Sequence, residues 1–296
     1  MPVVIAYFLI YVVWGSTYFF IGVCLRDLPP FMLGALRFSV AGAVLLAICK
    51  WRGERLFRRN LILKSALSGI VLLFIDQTVI MFAQQYVSSS LVAIVASSTA
   101  LWIMLLDVRA WRRNFKRLST VLGMVAGFAG VGMLYAEQLG SETSVHPDSE
   151  LGILLLVGGC ISWACGTLYS KYHASAEEDV NGFAGSAWQM LAASAVFGIC
   201  ACASGDFSGT LLADVSTSTW LSLAYLITFG SLLAYSAYVW LLKVRPASEV
   251  ATHAYVNPVV AVALGAGIGG EHVTAVQLAG LAVILVSVMM VSRRNK

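Results

Sequence analysis

Long apolar runs separated by short polar stretches dominate this sequence. The runs lie near 3–25, 30–49, 62–83, 88–106, 118–136, 151–171, 182–203, 218–242, 248–268 and 274–292. A helix needs about 20 mostly apolar residues to cross a bilayer, because lipid offers backbone N–H and C=O groups no hydrogen-bond partner. The pattern therefore predicts an all-α integral membrane protein with ten transmembrane helices.

Lysine and arginine alternate between the two sides of this arrangement. Seventeen of the nineteen lie in loops and chain ends on one side, whereas Arg26 alone lies in a loop on the other side. Basic residues in short loops stay in the cytoplasm, so both termini are predicted to be cytoplasmic. One helix more or fewer would exchange the sides of every later loop, so the asymmetry supports an even helix count.

Composition narrows the class of protein further. The chain is 59% apolar and 11% charged, against about 25% charged residues in soluble domains. The net charge of +4 sits in short loops, so the expected partner is the lipid bilayer and not nucleic acid. The six cysteines form no C-x-x-C motif, and no P-loop, H-E-x-x-H or G-x-S-x-G motif is present. We expect no metal, no cofactor and no catalytic residues.

The two halves of the sequence, 1–137 and 150–292, resemble each other. V-W-G-S-T-Y at 13–18 aligns with S-W-A-C-G-T-L-Y at 162–169, which pairs Trp14 with Trp163, and S-L-V-A at 90–93 aligns with S-E-V-A at 248–251. Five helices is an odd number, so the second half enters the membrane from the opposite side. The sequence therefore predicts two inverted five-helix repeats, an arrangement typical of alternating-access carriers.

Four motifs carry a family resemblance that covers nearly the whole chain. They are W-G-S-T (14–17), A-L-R-F (35–38), A-T-H-A-Y-V-N-P-V-V-A (251–261) and G-E (270–271) ahead of Q-L-A-G. In their order and helix positions they resemble the EamA-like ten-helix branch of the drug/metabolite transporter superfamily, and within it most closely the YddG-type exporters of aromatic amino acids. The resemblance implies a secondary transporter in a bacterial inner membrane that exports aromatic or hydrophobic amino acids, and secondarily cationic aromatic toxicants.

Other functions remain open at this point. The substrate could belong to another class, such as other amino acids or sugars. A membrane enzyme that modifies lipids would need clustered His, Asp or Glu at one interface, and here the acidic residues are dispersed. A receptor gains little support from an inverted repeat.

Two charged residues fall inside predicted helices, where an unpaired charge is costly. Arg37 and Asp76 each lie about seven residues from the outer helix end, which at about 1.5 Å per residue places both at a similar depth. Two interpretations follow: an ion pair that locks the second and third helices together, or Asp76 as a site for a proton or a substrate amine.

Inverted symmetry predicts a substrate site near the membrane midplane, between the halves. Asn257, beside Pro258, is expected to be its polar anchor, whereas His253 is expected to be a packing residue. Gly123, Gly127 and Gly130 have spacing that suits either a homodimer contact or internal packing. The predicted substrate-binding residues are Trp14, Thr17, Tyr18, Ser98, Trp102, Trp163, Tyr255 and Asn257.

Overall fold

The computed structural model describes residues 2–54, 56–111, 115–116, 118–140, 149–174 and 182–292. All regular elements within these ranges are helical. Eight are long and apolar enough to cross a membrane: α1 Val3–Cys24, α2 Pro30–Trp51, α3 Arg59–Ala83, α4 Ser89–Leu106, α5 Leu118–Glu137, α6 Leu151–His173, α7 Gly182–Ser204 and α8 Thr217–Val244. Two shorter apolar helices follow, α9 His253–Gly267 and α10 Ala275–Ser292.

The observed helices follow the predicted runs closely, with two interruptions. α4 turns at Ser97 and Ser98, and the predicted run 248–268 is split, because a short helical turn precedes α9. At each break a hydroxyl bonds the carbonyl three residues earlier: Ser97 Oγ donates to the Ile94 carbonyl at 2.5 Å and Thr252 Oγ1 to the Glu249 carbonyl at 2.6 Å. Such bonds compete with the helical backbone ladder.

Four of the long helices contain π-helical segments: Leu9–Val13, Ile70–Ile75, Ser170–Ala174 and Leu226–Tyr235. The wider turn of a π-helix leaves carbonyls available to side chains, and such segments are frequent at functional sites. Ser162 Oγ donates to the Val71 carbonyl at 2.9 Å, and Trp14 Nε1 donates to the Gly230 carbonyl at 3.1 Å. The hydrophobic pattern of the sequence predicts neither of these hydrogen bonds.

Glycines allow α5 to pack closely on α10. A Cβ at Gly127 would lie 2.4 Å from Ser287 Oγ, and one at Gly130 would lie 3.1 Å from Ile284 Cγ1. These two glycines therefore serve internal packing. Apolar side chains also cover the outer surface, as shown by Val125, Ile199 and Leu221, which are 65%, 68% and 67% exposed. A surface of this kind suits contact with lipid.

Glu271 fixes the loop between α9 and α10 to the start of α4. Its carboxylate accepts hydrogen bonds from the backbone N–H and the hydroxyl of both Ser89 and Ser90, at 2.5 to 3.1 Å. The first backbone N–H groups of a helix lack partners within the helix, and a negative charge there interacts favourably with the helix dipole. The G-E motif thus joins the second half of the chain to the first.

Candidate functional site: a central cavity

Seven helices, α1, α2, α3, α4, α6, α8 and α9, surround a cavity in the middle of the bundle. The space not filled by protein atoms measures about 760 Å³ with its mouth included. The lining combines aromatic, aliphatic and polar side chains. Its principal members are Trp14, Thr17, Tyr18, Arg37, Phe38, Asp76, Gln77, Thr99, Cys160, Trp163, Ser231, Tyr235, His253 and Asn257.

Aromatic rings from both halves of the chain form one cluster at the cavity. The rings of Trp14 and Trp163 meet edge to face with centroids 5.4 Å apart. Trp14 also lies 5.0 Å from the Tyr238 ring and 5.4 Å from the His253 ring, measured between centroids. Both tryptophans are 8% exposed and line the cavity, so they are otherwise packed against neighbouring helices.

Hydroxyl groups hold this aromatic cluster in position. The Tyr238 hydroxyl accepts a hydrogen bond from Trp163 Nε1 at 3.1 Å and shares another with Thr167 Oγ1 at 2.5 Å. The Tyr235 hydroxyl donates to Gln189 Oε1 at 3.0 Å. The hydroxyls of Tyr235 and Tyr238 and the N–H of Trp163 thus have hydrogen-bond partners, as is usual for buried aromatic side chains with a polar group.

A polar wall runs from α8 through α2 to α3. Arg37 Nε donates to Ser231 Oγ at 2.9 Å, and Arg37 Nη1 donates to Gln77 Oε1 at 3.0 Å. Gln77 Nε2 in turn donates to Asp76 Oδ2 at 3.1 Å. The direct Arg37–Asp76 ion pair that one interpretation of the sequence predicts is therefore wrong, since among the described side chains the amide of Gln77 stands between the two charges.

Asn257 binds the backbone of α1. In the amide orientation that satisfies its neighbours, the nitrogen donates to the carbonyls of Ile10, Tyr11 and His253 at 2.9, 2.8 and 3.1 Å. The first two carbonyls belong to the π-helical segment of α1. The Asn257 amide, predicted as a polar anchor for substrate, is thus occupied by a contact between α1 and α9.

His253 lines the cavity and packs its ring against Trp14 and Tyr238. Its Nδ1 lies 3.1 Å from the Asn257 amide. Its Nε2 has no hydrogen-bond partner within the part of the chain that the structure describes. The residue is 8% exposed, so this nitrogen is a buried polar atom beside an aromatic cluster.

Five of the eight predicted substrate-binding residues line the cavity: Trp14, Thr17, Tyr18, Trp163 and Asn257. Ser98 is fully buried, and its hydroxyl contacts Cys160 Sγ at 3.7 Å. Trp102 packs edge-on against Phe128 of α5 at 4.8 Å. Placing these two in the cavity was wrong because α4 presents the adjacent face, with Thr99, to it. The side chain of Tyr255 lies outside the described residues.

Several lining residues escape the sequence analysis. Gln77, Gly230 and Ser231 contribute to the polar wall or its backing. The adjacency of Gln77 to Asp76, and a Gly-Ser pair inside an apolar run, are the only sequence signals for them. Neither signal shows that Arg37 would reach both helices.

Side-chain hydrogen bonds join α1 to the second half of the chain around the cavity. Toward the N-terminus of α1, the Tyr7 hydroxyl donates to Glu249 Oε1 at 2.9 Å and the Tyr11 hydroxyl lies 2.7 Å from Thr252 Oγ1. At the level of the cavity, between the lining residues Trp14 and Thr17, Ser16 Oγ lies 2.7 Å from the Tyr225 hydroxyl. α1 therefore contacts the segment before α9 on one side of the cavity and α8 beside it.

Beyond α1, the loop residue Asp27 binds the start of α8. Its Oδ2 accepts hydrogen bonds from the hydroxyls of Ser216 and Thr219, at 2.5 and 2.6 Å. These bonds, with that from Ser216 the largest effect, hold the pKa of the Asp27 carboxyl below its usual range. The contact therefore persists in neutral solution.

Comparison with known proteins decides the family. The model of the EamA-like transporter family matches residues 1–136 and 150–293. The chain belongs to the EamA-like transporter family. The two matched ranges nearly coincide with the predicted halves, and cavity-lining residues come from both.

Relatives within the family match almost end to end. The "Uncharacterized inner membrane transporter YedA" of Escherichia coli K12 is 34% identical over 293 residues, which cover 99% of this chain and 91% of that protein. The "Probable amino-acid metabolite efflux pump" of the same organism is 26% identical over 284 residues, covering 94% and 90%. A crystal structure that is 20% identical has a TM-score of 0.69 and covers 98% of this chain and 96% of its own, which shows a shared fold.

Proposed function

We propose that this EamA-family protein is a secondary transporter that exports small metabolites across the inner membrane by alternating access. Aromatic or hydrophobic amino acids are the proposed first class of substrate. The family match supports transport. One relative is named an inner membrane transporter and a more distant one a probable amino-acid metabolite efflux pump, which supports the location and the direction.

The proposed mechanism uses ten helices in two inverted halves with both termini in the cytoplasm. The distribution of Lys and Arg supports this orientation. In it, the Tyr7–Glu249 and Tyr11–Thr252 contacts close the cytoplasmic side, and the contact of Asp27 with Ser216 and Thr219 lies toward the outside. Opening the cavity inward then requires α1 to separate from the segment before α9, while the opposite contacts remain closed.

One observation carries the proposed substrate class, namely the contact of Trp14 with Trp163 at the cavity. A substrate ring that packs against these two indoles from the cavity gains apolar burial and an aromatic contact worth about 0.5–1.5 kcal/mol beyond burial. The nearby Tyr235 and Tyr238 have their hydroxyls engaged elsewhere. This lining favours substrates with a flat apolar group over small polar ones.

Resistance and efflux in living cells test the proposal. Bacteria that lack their own aromatic amino acid exporters, given this protein, should tolerate toxic aromatic analogues such as p-fluorophenylalanine, and loaded cells should release phenylalanine and tryptophan faster than threonine. Sugars and a cationic aromatic dye belong in the same panel. Faster release of a sugar or the dye, with amino acids unaffected, would leave the family assignment in place and reject the proposed substrate class.

A further inference from the structure

Arg37 holds unused hydrogen-bonding capacity inside the membrane-spanning bundle. A guanidinium group has five N–H donors, and here Nε and Nη1 bind one partner each. Within the described residues, Nη2 has no hydrogen-bond partner, and it lies 3.1 Å from the position that a Cβ on Gly230 would occupy. The side chain is 6% exposed and lines the cavity.

The charge of Arg37 also lacks a directly bound anion among the described side chains. Asp76 is reached only through the amide of Gln77. Charge-assisted hydrogen bonds are roughly twice as strong as neutral ones, and guanidinium–carboxylate contacts can form two parallel hydrogen bonds. The free side of Arg37 is therefore suited to a carboxylate that enters the cavity.

His253 offers a hydrogen-bond acceptor to the cavity, and its contact with Asn257 determines which ring nitrogen is the acceptor. The two hydrogens of the Asn257 nitrogen are shared among three backbone carbonyls, so its oxygen faces His253 Nδ1 at 3.1 Å. An amide oxygen only accepts hydrogen bonds, so Nδ1 carries the hydrogen. In the neutral ring Nε2 is then a lone-pair acceptor, and it is the nitrogen that lacks a partner.

Trp14 connects these two groups. Its Nε1 donates to the carbonyl of Gly230, the residue beside Arg37 Nη2, and its ring lies 5.4 Å from the His253 ring. We infer that the cavity binds both charged ends of a zwitterionic amino acid, with Arg37 holding the α-carboxylate and His253 Nε2 accepting a hydrogen bond from the α-ammonium. The inference rests on the proposed function, since it takes the cavity as the substrate site.

Binding of matched ligand series to the purified full-length protein tests this arrangement. One series is phenylalanine, phenethylamine and 3-phenylpropionate; the other is leucine, isoamylamine and 4-methylpentanoate. Each amino acid should bind at least tenfold more tightly than the amine or the acid that lacks one of its charged groups, because each lost charged hydrogen bond removes a substantial part of the affinity.

Substitutions of His253 and Arg37 test which residue binds the ammonium and which binds the carboxylate. His253→Phe retains a ring and should weaken phenylalanine at least tenfold while changing 3-phenylpropionate less than twofold. Arg37→Gln should weaken phenylalanine and 3-phenylpropionate but not phenethylamine. The exposed residues His173 and Arg26 provide matched controls, His173→Phe and Arg26→Gln, which should leave all affinities unchanged.

A structural role predicts a different result. If His253→Phe weakened phenylalanine and 3-phenylpropionate equally, the imidazole would be a packing residue and the inference would fall. His253→Gln returns an acceptor oxygen and should therefore bind phenylalanine more tightly than His253→Ala does. This comparison replaces His253→Phe if the Phe variant does not fold. Equal phenylalanine affinities of the Gln and Ala variants would also overturn the assignment.

The two series separate this inference from the proposed function. Selective loss in the leucine series alone would support recognition of the charged ends while rejecting the aromatic preference. Transport of phenylalanine by a wild-type protein that binds 3-phenylpropionate equally well would support the function and reject this inference. No binding of any of the six ligands would reject both.

Discussion

Trp14 and Trp163, which occupy matching positions in the two halves of the sequence, meet edge to face in the structure with ring centroids 5.4 Å apart. About half of the chain separates the two residues, and their contact joins α1 to α6. Each indole N–H is bound, one to the Gly230 carbonyl and one to the Tyr238 hydroxyl. The pair is therefore fixed in orientation at the cavity.

Replacing Trp163 should alter substrate preference. Trp163→Ala removes an aromatic contact worth about 0.5–1.5 kcal/mol beyond burial, so transport of phenylalanine and tryptophan should fall more than transport of threonine. Initial efflux rates, normalised to the amount of protein in the membrane, provide the measurement. Equal losses for all three amino acids would make Trp163 a packing residue.

Gln77 should contribute to stability through its position between Arg37 and Asp76. Gln77→Leu leaves a buried N–H of Arg37 and an oxygen of Asp76 without this partner, at a cost of about 1–3 kcal/mol. The melting temperature in detergent should fall, while Gln85→Leu, at an exposed position in the turn just after the same helix, should change it little. A melting temperature unaffected by Gln77→Leu would show that the two charges do not depend on the bridge.

Glu271 should be required for the attachment of α4. In Glu271→Gln one carboxylate oxygen becomes an NH₂ group that faces donors of Ser89 or Ser90, and the charge at the helix start is lost. We expect destabilisation of about 1.5–3 kcal/mol, seen as faster heat inactivation of the detergent-solubilised protein. Asp214→Asn, at an exposed residue, is the control. Equal inactivation rates for the two variants would contradict the capping role.

The proposed orientation predicts which positions each side of the membrane can reach. In a background without the native cysteines, cysteine at the exposed positions Lys50 and Lys116 should react only with cytoplasmic reagents. Cysteine at Ser208 and His272 should react only with impermeant reagents added outside. Labelling of Lys116→Cys and Ser208→Cys from the same side would overturn the ten-helix arrangement.

Much of the fold could be predicted because the bilayer leaves few choices. Apolar length locates the helices, because spacing along one helix is recorded directly in the sequence. The alignment of V-W-G-S-T-Y with S-W-A-C-G-T-L-Y pairs Trp14 with Trp163, and the structure adds that their rings are in contact. The sequence gives Arg37 and Asp76 a similar depth, and the structure adds that both line the cavity.

The failures concern rotation and long-range partners. Ser98 and Trp102 were predicted to face the cavity, but the adjacent face of α4, with Thr99, does so. One residue along a helix corresponds to about 100° of rotation. Because α4 has apolar residues on all sides, the sequence does not indicate which face is turned to the cavity. The role of Asn257 depends on carbonyls of a π-helical segment some 245 residues away, and neither that segment nor its free carbonyls has a sequence signature.

Counterflow of radiolabelled phenylalanine in proteoliposomes tests the central claim most directly. Vesicles that contain the wild-type protein and unlabelled phenylalanine should accumulate the label transiently. Gly159→Trp enlarges a lining residue whose Cβ position lies 3.0 Å from Val79 Cγ1 and 3.6 Å from Asp76 Oδ1, and protein of this variant that is shown to be folded by its melting temperature should not accumulate the label. Gly132→Trp, at a glycine with open space around its Cβ position, should retain accumulation. Accumulation that persists in folded Gly159→Trp would contradict transport through the central cavity.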